Sequence, residues 1–272
     1  MSLAGRFGRR FLDAADERRR RDERTAPATK VALRHLYLDY RRLAAERRWL
    51  PATWETGFRV FSQVDEDGVV LFLLAAAGDG PGTVVDLGCG NGVDASNCAN
   101  LILNLGFQGL LADGNVAHVE HARRFFAAHP DTKERPPVIV EAFLTRESIN
   151  EIIRSAGFGG EIDLLSIDVD GNDYWLWKAL DAVSPRLVVI EVHPEHGDDD
   201  YVMPYDPEFV WSAAPPGLRH GSSVTAMVGL ANELDYRLVG WNRHGYNLFF
   251  ARNDVAPGVP ELTVEELRRR TG

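Results

Sequence analysis

Cysteine and net positive charge are both scarce in this 272-residue chain. The only cysteines are Cys89 and Cys98, which excludes a disulfide framework and any zinc-type ligand spacing and suits a reducing, cytoplasmic setting. Acidic side chains outnumber basic ones 40 to 30, for a formal net charge of -10, so a nucleic-acid backbone is not an expected partner. No apolar run reaches the ~18 residues that span a bilayer, and the Arg-rich start lacks the apolar stretch of a signal peptide, so a membrane is not an expected partner either. What is present is 45% hydrophobic residues, enough to fill the core of one large α/β domain with extensions. A small molecule is the expected partner.

Three stretches divide the chain. Residues 1–50 form an Arg-rich helical N-terminal extension, with eight Arg against five acids in the first 24 positions and Asp16/Arg20 and Glu17/Arg21 spaced as exposed helical ion pairs. From Lys30 to Arg48 an imperfect apolar stripe of Val31, Leu33, Leu36, Leu38, Tyr40 and Leu43 predicts a helix packed on the main domain or joining two copies as a homodimer. Residues 51–255 alternate strand and helix signals, and 256–272 read as a C-terminal tail. Within the main domain, an apolar helix ending at Gly78 precedes predicted strands at 83–87, 108–112, 137–141, 162–168 and 186–192. Helical stretches centred near 100, 122, 150 and 177 separate them. A further helix at 222–234 leads into a hairpin around Gly245. The pattern predicts a parallel sheet covered by helices on both faces and closed by an antiparallel terminal strand.

The chemistry begins at TVVDLGCGNG, residues 83–92. An apolar strand runs into Gly88, Gly90, Asn91 and Gly92, a turn that lets backbone approach a ligand closely. Such glycines also suit a dinucleotide, but Asp86 at the strand end would repel a pyrophosphate. It suits a cofactor carrying an ammonium and a sulfonium, so S-adenosylmethionine is expected in preference to NAD. In open α/β sheets ligands sit at the carboxyl ends of the strands. There the second strand offers Asp113, Gly114 and Asn115, where a carboxylate can take both hydroxyls of a ribose. The third ends at Phe143, either an adenine contact or core.

The fourth strand runs into Asp168, Asp170, Asn172 and Asp173, acids packed behind a buried apolar run, which call for a ligand, a cation or hydrogen bonds in compensation. Glycine stands fourth rather than sixth in that stretch, which excludes an EF-hand. Glu191 and His193 share one face of the fifth strand beside them. Three readings stand: His193 as a base oriented by Asp168 or Asp170, one His and two carboxylates around a divalent cation, or a structural His. The first is preferred, so Asp168, Asp170, Glu191 and His193 are the candidate catalytic set and no metal is assigned. The proline-rich, aromatic stretch 195–221 is too long for a simple connection and reads as a lid or binding loop.

With these residues in place, the chain resembles the FkbM-type family of S-adenosylmethionine-dependent methyltransferases. The likeness runs from about residue 61 to 252 through SQVDEDG, DLGCGNG, GLLADGN, AFLTRESINEII, LLSIDVDGNDYWLWKAL, PRLVVIEVHP and MPYDPEFVW. The resemblance implies a Rossmann-like class I methyltransferase fold with a seven-stranded sheet. It also implies Asp86, Gly88 and Gly90 at the cofactor, Asp113 on its ribose, and Gln63 and Asp67 near its methionine end. O-methylation of a small-molecule hydroxyl is the expected activity. Other chemistry on the same cofactor, N-methylation or use of its aminobutyl arm, and a non-catalytic cofactor-binding protein of this fold are the alternatives.

Overall fold

A computed structural model describes residues 23–46 and 48–271; the predicted ion pairs of positions 16–21 lie outside it. Helix α1 (Pro27–Ala45) starts with proline at its first turn, where no N–H partner is lost. Only Leu33 is buried, and Tyr37 and Tyr40 join it against the domain, Tyr40 edge-on to Phe72 at 5.1 Å. The packed face is therefore Leu33, Tyr37 and Tyr40, spaced at helical period, while Val31 and Leu38 of the predicted stripe face outward. Arg24 lies 4.5 Å over the Phe61 ring, and Lys30 pairs with Asp131 at 2.5 Å. The extension thus clasps the domain.

Helix α2 (Glu66–Ala77) is buried from Glu66 to Ala75, apolar on every side, and ends at Gly78 with φ 81°. Strands β1 (Thr83–Leu87), β2 (Gln108–Asp113), β3 (Val138–Glu141), β4 (Gly160–Ile167) and β5 (Val183–Glu191) pair in parallel. Between them lie a π-helical segment (Leu101–Leu105) and helices α3 (Val116–Ala128), α4 (Ile149–Ser155) and α5 (Asp173–Ala179). Helix α6 (Val224–Glu233) leads into β6 (Tyr236–Trp241) and β7 (Asn247–Arg252), with β7 antiparallel to both β5 and β6. The seven-stranded sheet has the order β3-β2-β1-β4-β5-β7-β6, the Rossmann-like architecture expected from the sequence.

Alternation along the strands feeds two cores. Val85, Leu87, Val188 and Ile190 face α4, α5 and α6, and Val84, Leu187 and Val189 face α2, α3 and the π-helical segment. The 256–272 stretch, read as a tail, belongs to these cores: Ala256 and Val259 join one, while Leu262 and Leu267 of the segment ending in α7 (Val264–Thr271) join the other. Its apolar residues are few, but Ala256, Val259, Leu262 and Leu267 are all buried. Among the described residues no helix is long and apolar enough to cross a membrane. The strand order reverses between β1 and β4, and the carboxyl ends of those two strands open the crevice where a ligand is expected.

Candidate functional site

The glycine turn is locked on one side and open on the other. Gly88 (φ 83°) and Cys89 donate their N–H groups to the Ala112 carbonyl at 2.9 and 3.2 Å. A Cβ on Gly88 would meet the Asp168 carbonyl oxygen at 1.7 Å, so only glycine lets the end of β1 lie against the end of β4. Gly90 (φ 55°) faces open space, with nothing within 4 Å of where a Cβ would stand. Its N–H donates to Asp113 Oδ2 at 2.8 Å, while Asp113 Oδ1 accepts from Asn115 N at 2.8 Å. Each Asp113 oxygen thus holds one backbone N–H and keeps acceptor capacity for a hydroxyl.

The neighbouring amides serve the backbone. Asn91 Oδ1 accepts from Val93 N and Asp94 N, closing the turn, and Asn115 Oδ1 accepts from Ala117 N and His118 N, capping α3. Both shape the crevice through the chain rather than by side-chain donors aimed into it. Gly114 brings the backbone beside Phe143, whose ring is 49% exposed at the end of β3, as a ligand contact requires and a core residue does not.

Asp86 is buried and accepts from Ser96 Oγ at 3.0 Å. Burial pushes its pKa up to about 6 against the pull of the Ser96 and Ser166 hydroxyls. Asp67 departs from expectation. Its Oδ2 accepts from the N–H groups of Val60, Phe61 and Ser62 and from Ser62 Oγ, at 2.6 to 2.9 Å, so it holds the loop before α2, while its Oδ1 is buried without a hydrogen-bond partner. That loop bridges to the chain after β1 through Ser62 and Ala95, and it carries Gln63 exposed. Glu66, to which the sequence reading gave no role, is fully buried and accepts from Asn242 and Asn247, tying α2 to the terminal hairpin.

Asp168, Asp170 and Glu191 converge at the ends of β4 and β5, with one oxygen of each within 4.8 Å of the others. Burial and the neighbouring carboxylates, Glu191 foremost, raise the pKa of both Asp168 and Asp170. Asp173 is structural: it accepts from Val169 N at 2.8 Å and Gly171 N at 2.9 Å, bracing the turn that carries Asp170. Burial lifts its pKa to about 7.

His193 is corrected in its partners and in its charge. Its Nδ1 meets Glu195 Oε1 at 2.9 Å and its Nε2 lies 3.7 Å from Glu191 Oε2; neither Asp168 nor Asp170 orients it. Burial lowers its pKa, but the two glutamates outweigh that and hold it up at about 9, so it is protonated at neutral pH and is not poised as a base. The expected pairing fails because the strand ends at Glu191 and a short 3-10 turn, Pro194–His196, swings Glu195 back onto the ring. His220 packs edge-on against the ring at 4.2 Å and is itself stacked by Trp211 at 3.9 Å. The 195–221 loop is pinned to the site: Asn172 donates to the Asp206 carbonyl and Trp175 to that of Met203. Trp211 belongs to the aromatic face that the loop's composition announces, and the same composition was the signal that could have drawn attention to Glu195 and His220.

The chain resembles several solved methyltransferases in fold. One is the magnesium protoporphyrin IX methyltransferase of Synechocystis PCC 6803 with bound SAM, at 16% identity over 69% of this chain and 77% of that one, TM-score 0.41. A second is an O-methyltransferase family protein of Burkholderia thailandensis, at 14% identity over 69% of this chain and 59% of that one, TM-score 0.41. A third is a TehB-like SAM-dependent methyltransferase of Corynebacterium glutamicum, at 13% identity over 82% and 98%, TM-score 0.37. No family model and no curated protein matches the chain. At such values the likeness carries no argument about activity, and the functional reading rests on the residues of the site.

Proposed function

We propose that the chain is an S-adenosylmethionine-dependent methyltransferase of the FkbM type that methylates a hydroxyl of a small molecule. The observation that carries this reading is the open glycine turn held to Asp113 inside a crevice lined by acids. Gly90 leaves room for a ligand at the turn, Asp113 retains acceptor capacity for a ribose, and Phe143 offers an exposed ring beside Gly114. Asp86 and the acids of β4 and β5 disfavour a pyrophosphate and favour a cationic ligand. When bound, the cofactor supplies an electrophilic methyl group on a sulfonium.

The protein's part is orientation and proton handling. Holding an acceptor in line with such a methyl group contributes ~7 to 11 kcal/mol through proximity. The acceptor's proton has to leave as the new bond forms, and protonated His193 cannot take it. Asp168 and Asp170, whose affinity for protons is raised, are the groups suited to receive it. His193 then contributes positive charge beside Glu191.

Calorimetric titration with S-adenosylhomocysteine tests the reading. Binding is expected for the wild-type chain, with Asp113→Ala weakening it by about 1.5 to 3 kcal/mol, the worth of charge-assisted hydrogen bonds. NAD is expected to give no heat. Equal affinity in Asp113→Ala would remove the ribose assignment, and absence of binding would remove the function.

A further inference from the structure

Asp168, Asp170 and Glu191 present three carboxylate oxygens within 4.8 Å of one another. Neither the Asp168 nor the Asp170 side chain accepts a hydrogen bond from any described residue; Asp168 is half-buried and Asp170 is exposed. At the same place Glu191 Oε2 is buried without a hydrogen-bond partner, 3.7 Å from His193 Nε2, which likewise has none. The nearby Asp173 shows what a satisfied acid looks like here, with a backbone N–H on each oxygen. Unpartnered buried polar groups are rare and costly, and three converging carboxylates carry more negative charge than the single His193 beside Glu191 offsets.

We propose that Asp168, Asp170 and Glu191 hold one hard divalent cation, Mg2+ or Mn2+, whose open positions take the acceptor's hydroxyl oxygen. The donor set is all carboxylate, which selects these ions over softer metals. An octahedral shell at ~2.1 Å puts neighbouring oxygens about 3 Å apart, so side-chain rotation within the present cluster closes it. Three carboxylates leave room for water and one substrate oxygen. The trio stands at β4 and β5, whereas the ribose and glycine-turn contacts stand at β1 and β2, so cation and cofactor occupy different sides of one crevice.

The role of the cation rests on the methyltransferase reading and alters one part of it: the acids act as ligands instead of proton acceptors. A hydroxyl bound to the cation loses its proton to water more readily. Its oxygen then forms the C–O bond as the methyl C–S bond breaks, the electron pair passing to sulfur to leave a thioether.

The test is Mn2+ titration of the full chain followed by electron paramagnetic resonance, with and without saturating S-adenosylhomocysteine. One Mn2+ per chain is expected in both conditions. Asp170→Asn and Glu191→Gln should each weaken it at least about tenfold, with S-adenosylhomocysteine affinity changing less than about threefold. Asp170 has φ 59°, which asparagine adopts readily, so Asp170→Asn keeps the backbone, and thermal melting verifies the fold of both variants. No stoichiometric Mn2+ site in the wild type, loss of that site on addition of S-adenosylhomocysteine, or unchanged Mn2+ affinity in both variants overturns the proposal. Stoichiometric Mn2+ binding by a chain that never binds S-adenosylhomocysteine would uphold the cation site and remove the methyltransferase reading.

Discussion

Strand β4 carries a buried aspartate, Asp163, and is followed by a half-buried one, Asp168, and the surrounding chain treats them in opposite ways. Asp163 is matched on every side: Oδ2 accepts from Gly82 N at 2.6 Å and Thr83 N at 3.0 Å, and Oδ1 accepts from Arg186 at 2.9 Å. Arg186 is itself buried, and it also donates to the carbonyls of Ala77 and Gly78 at the end of α2. Asp168, just past the end of the strand, has other acids for neighbours and no donor. Buried charge that the chain satisfies itself holds the fold together; buried charge that it leaves to others marks where a ligand belongs.

The comparison breaks most visibly at its satisfied end. Asp163→Ala leaves Arg186 buried without a carboxylate and strips two backbone N–H groups of their acceptor. Removing one partner of a buried pair costs about 3 to 5 kcal/mol, so urea unfolding of this variant should show a loss of that size. A loss below about 1 kcal/mol would mean that the pair is no more structural than the acids at the opposite end.

That contrast also separates what the sequence made legible from what it did not. Strand β1 and its glycine turn, the alternation of strands and helices and the hairpin around Gly245 follow from apolar periodicity and turn chemistry, both local properties. So does the gathering of Asp168, Asp170 and Glu191, because strand ends on one side of a parallel sheet must meet. Partnership across the chain was hidden. Arg186 and Asp163 lie 23 residues apart and meet only through the register of β4 with β5. Asp67 sits at the expected place, but its direction depends on the path of the 60–62 loop. His193 drew one of its two carboxylates, Glu195, from a 3-10 turn that no periodicity announces.

A smaller effect sharpens the unsatisfied end. The Asp86 carboxyl ordinarily titrates near 3.8 and in the folded chain near 6, with Ser96, Ser166 and Cys98 as hydrogen-bonding neighbours and Asp113 as the nearby charge. Because the folded state binds the proton more tightly, the associated stability is complete below pH 3.8. It is lost as pH rises through about 6, and at neutral pH the charged Asp86 works against folding. Asp86→Asn keeps the shape and removes the charge. It should therefore stabilise the cofactor-free chain by about 1 to 2 kcal/mol at pH 7.5, with no gain below pH 4. Thermal melts across that range read it directly; equal stability of the two chains at every pH would show that burial there is no strain.

Phe143 gives the smallest expected change and the clearest separation of the two kinds of site. Its ring is half exposed beside Gly114, so truncation removes little that the fold has buried. Phe143→Ala should leave unfolding free energy within about 0.5 kcal/mol of wild type, as for surface positions in general. If the ring stacks on a ligand at the β2 and β3 ends, the same change should weaken S-adenosylhomocysteine by about 0.5 to 1.5 kcal/mol, two- to twelvefold. A side chain that contributes nothing to folding yet contributes to binding is the apolar counterpart of Asp168: a group whose partner lies outside the chain. Calorimetry and denaturation on one preparation decide it. Weakened folding with unchanged affinity would reverse the assignment and return Phe143 to the fold.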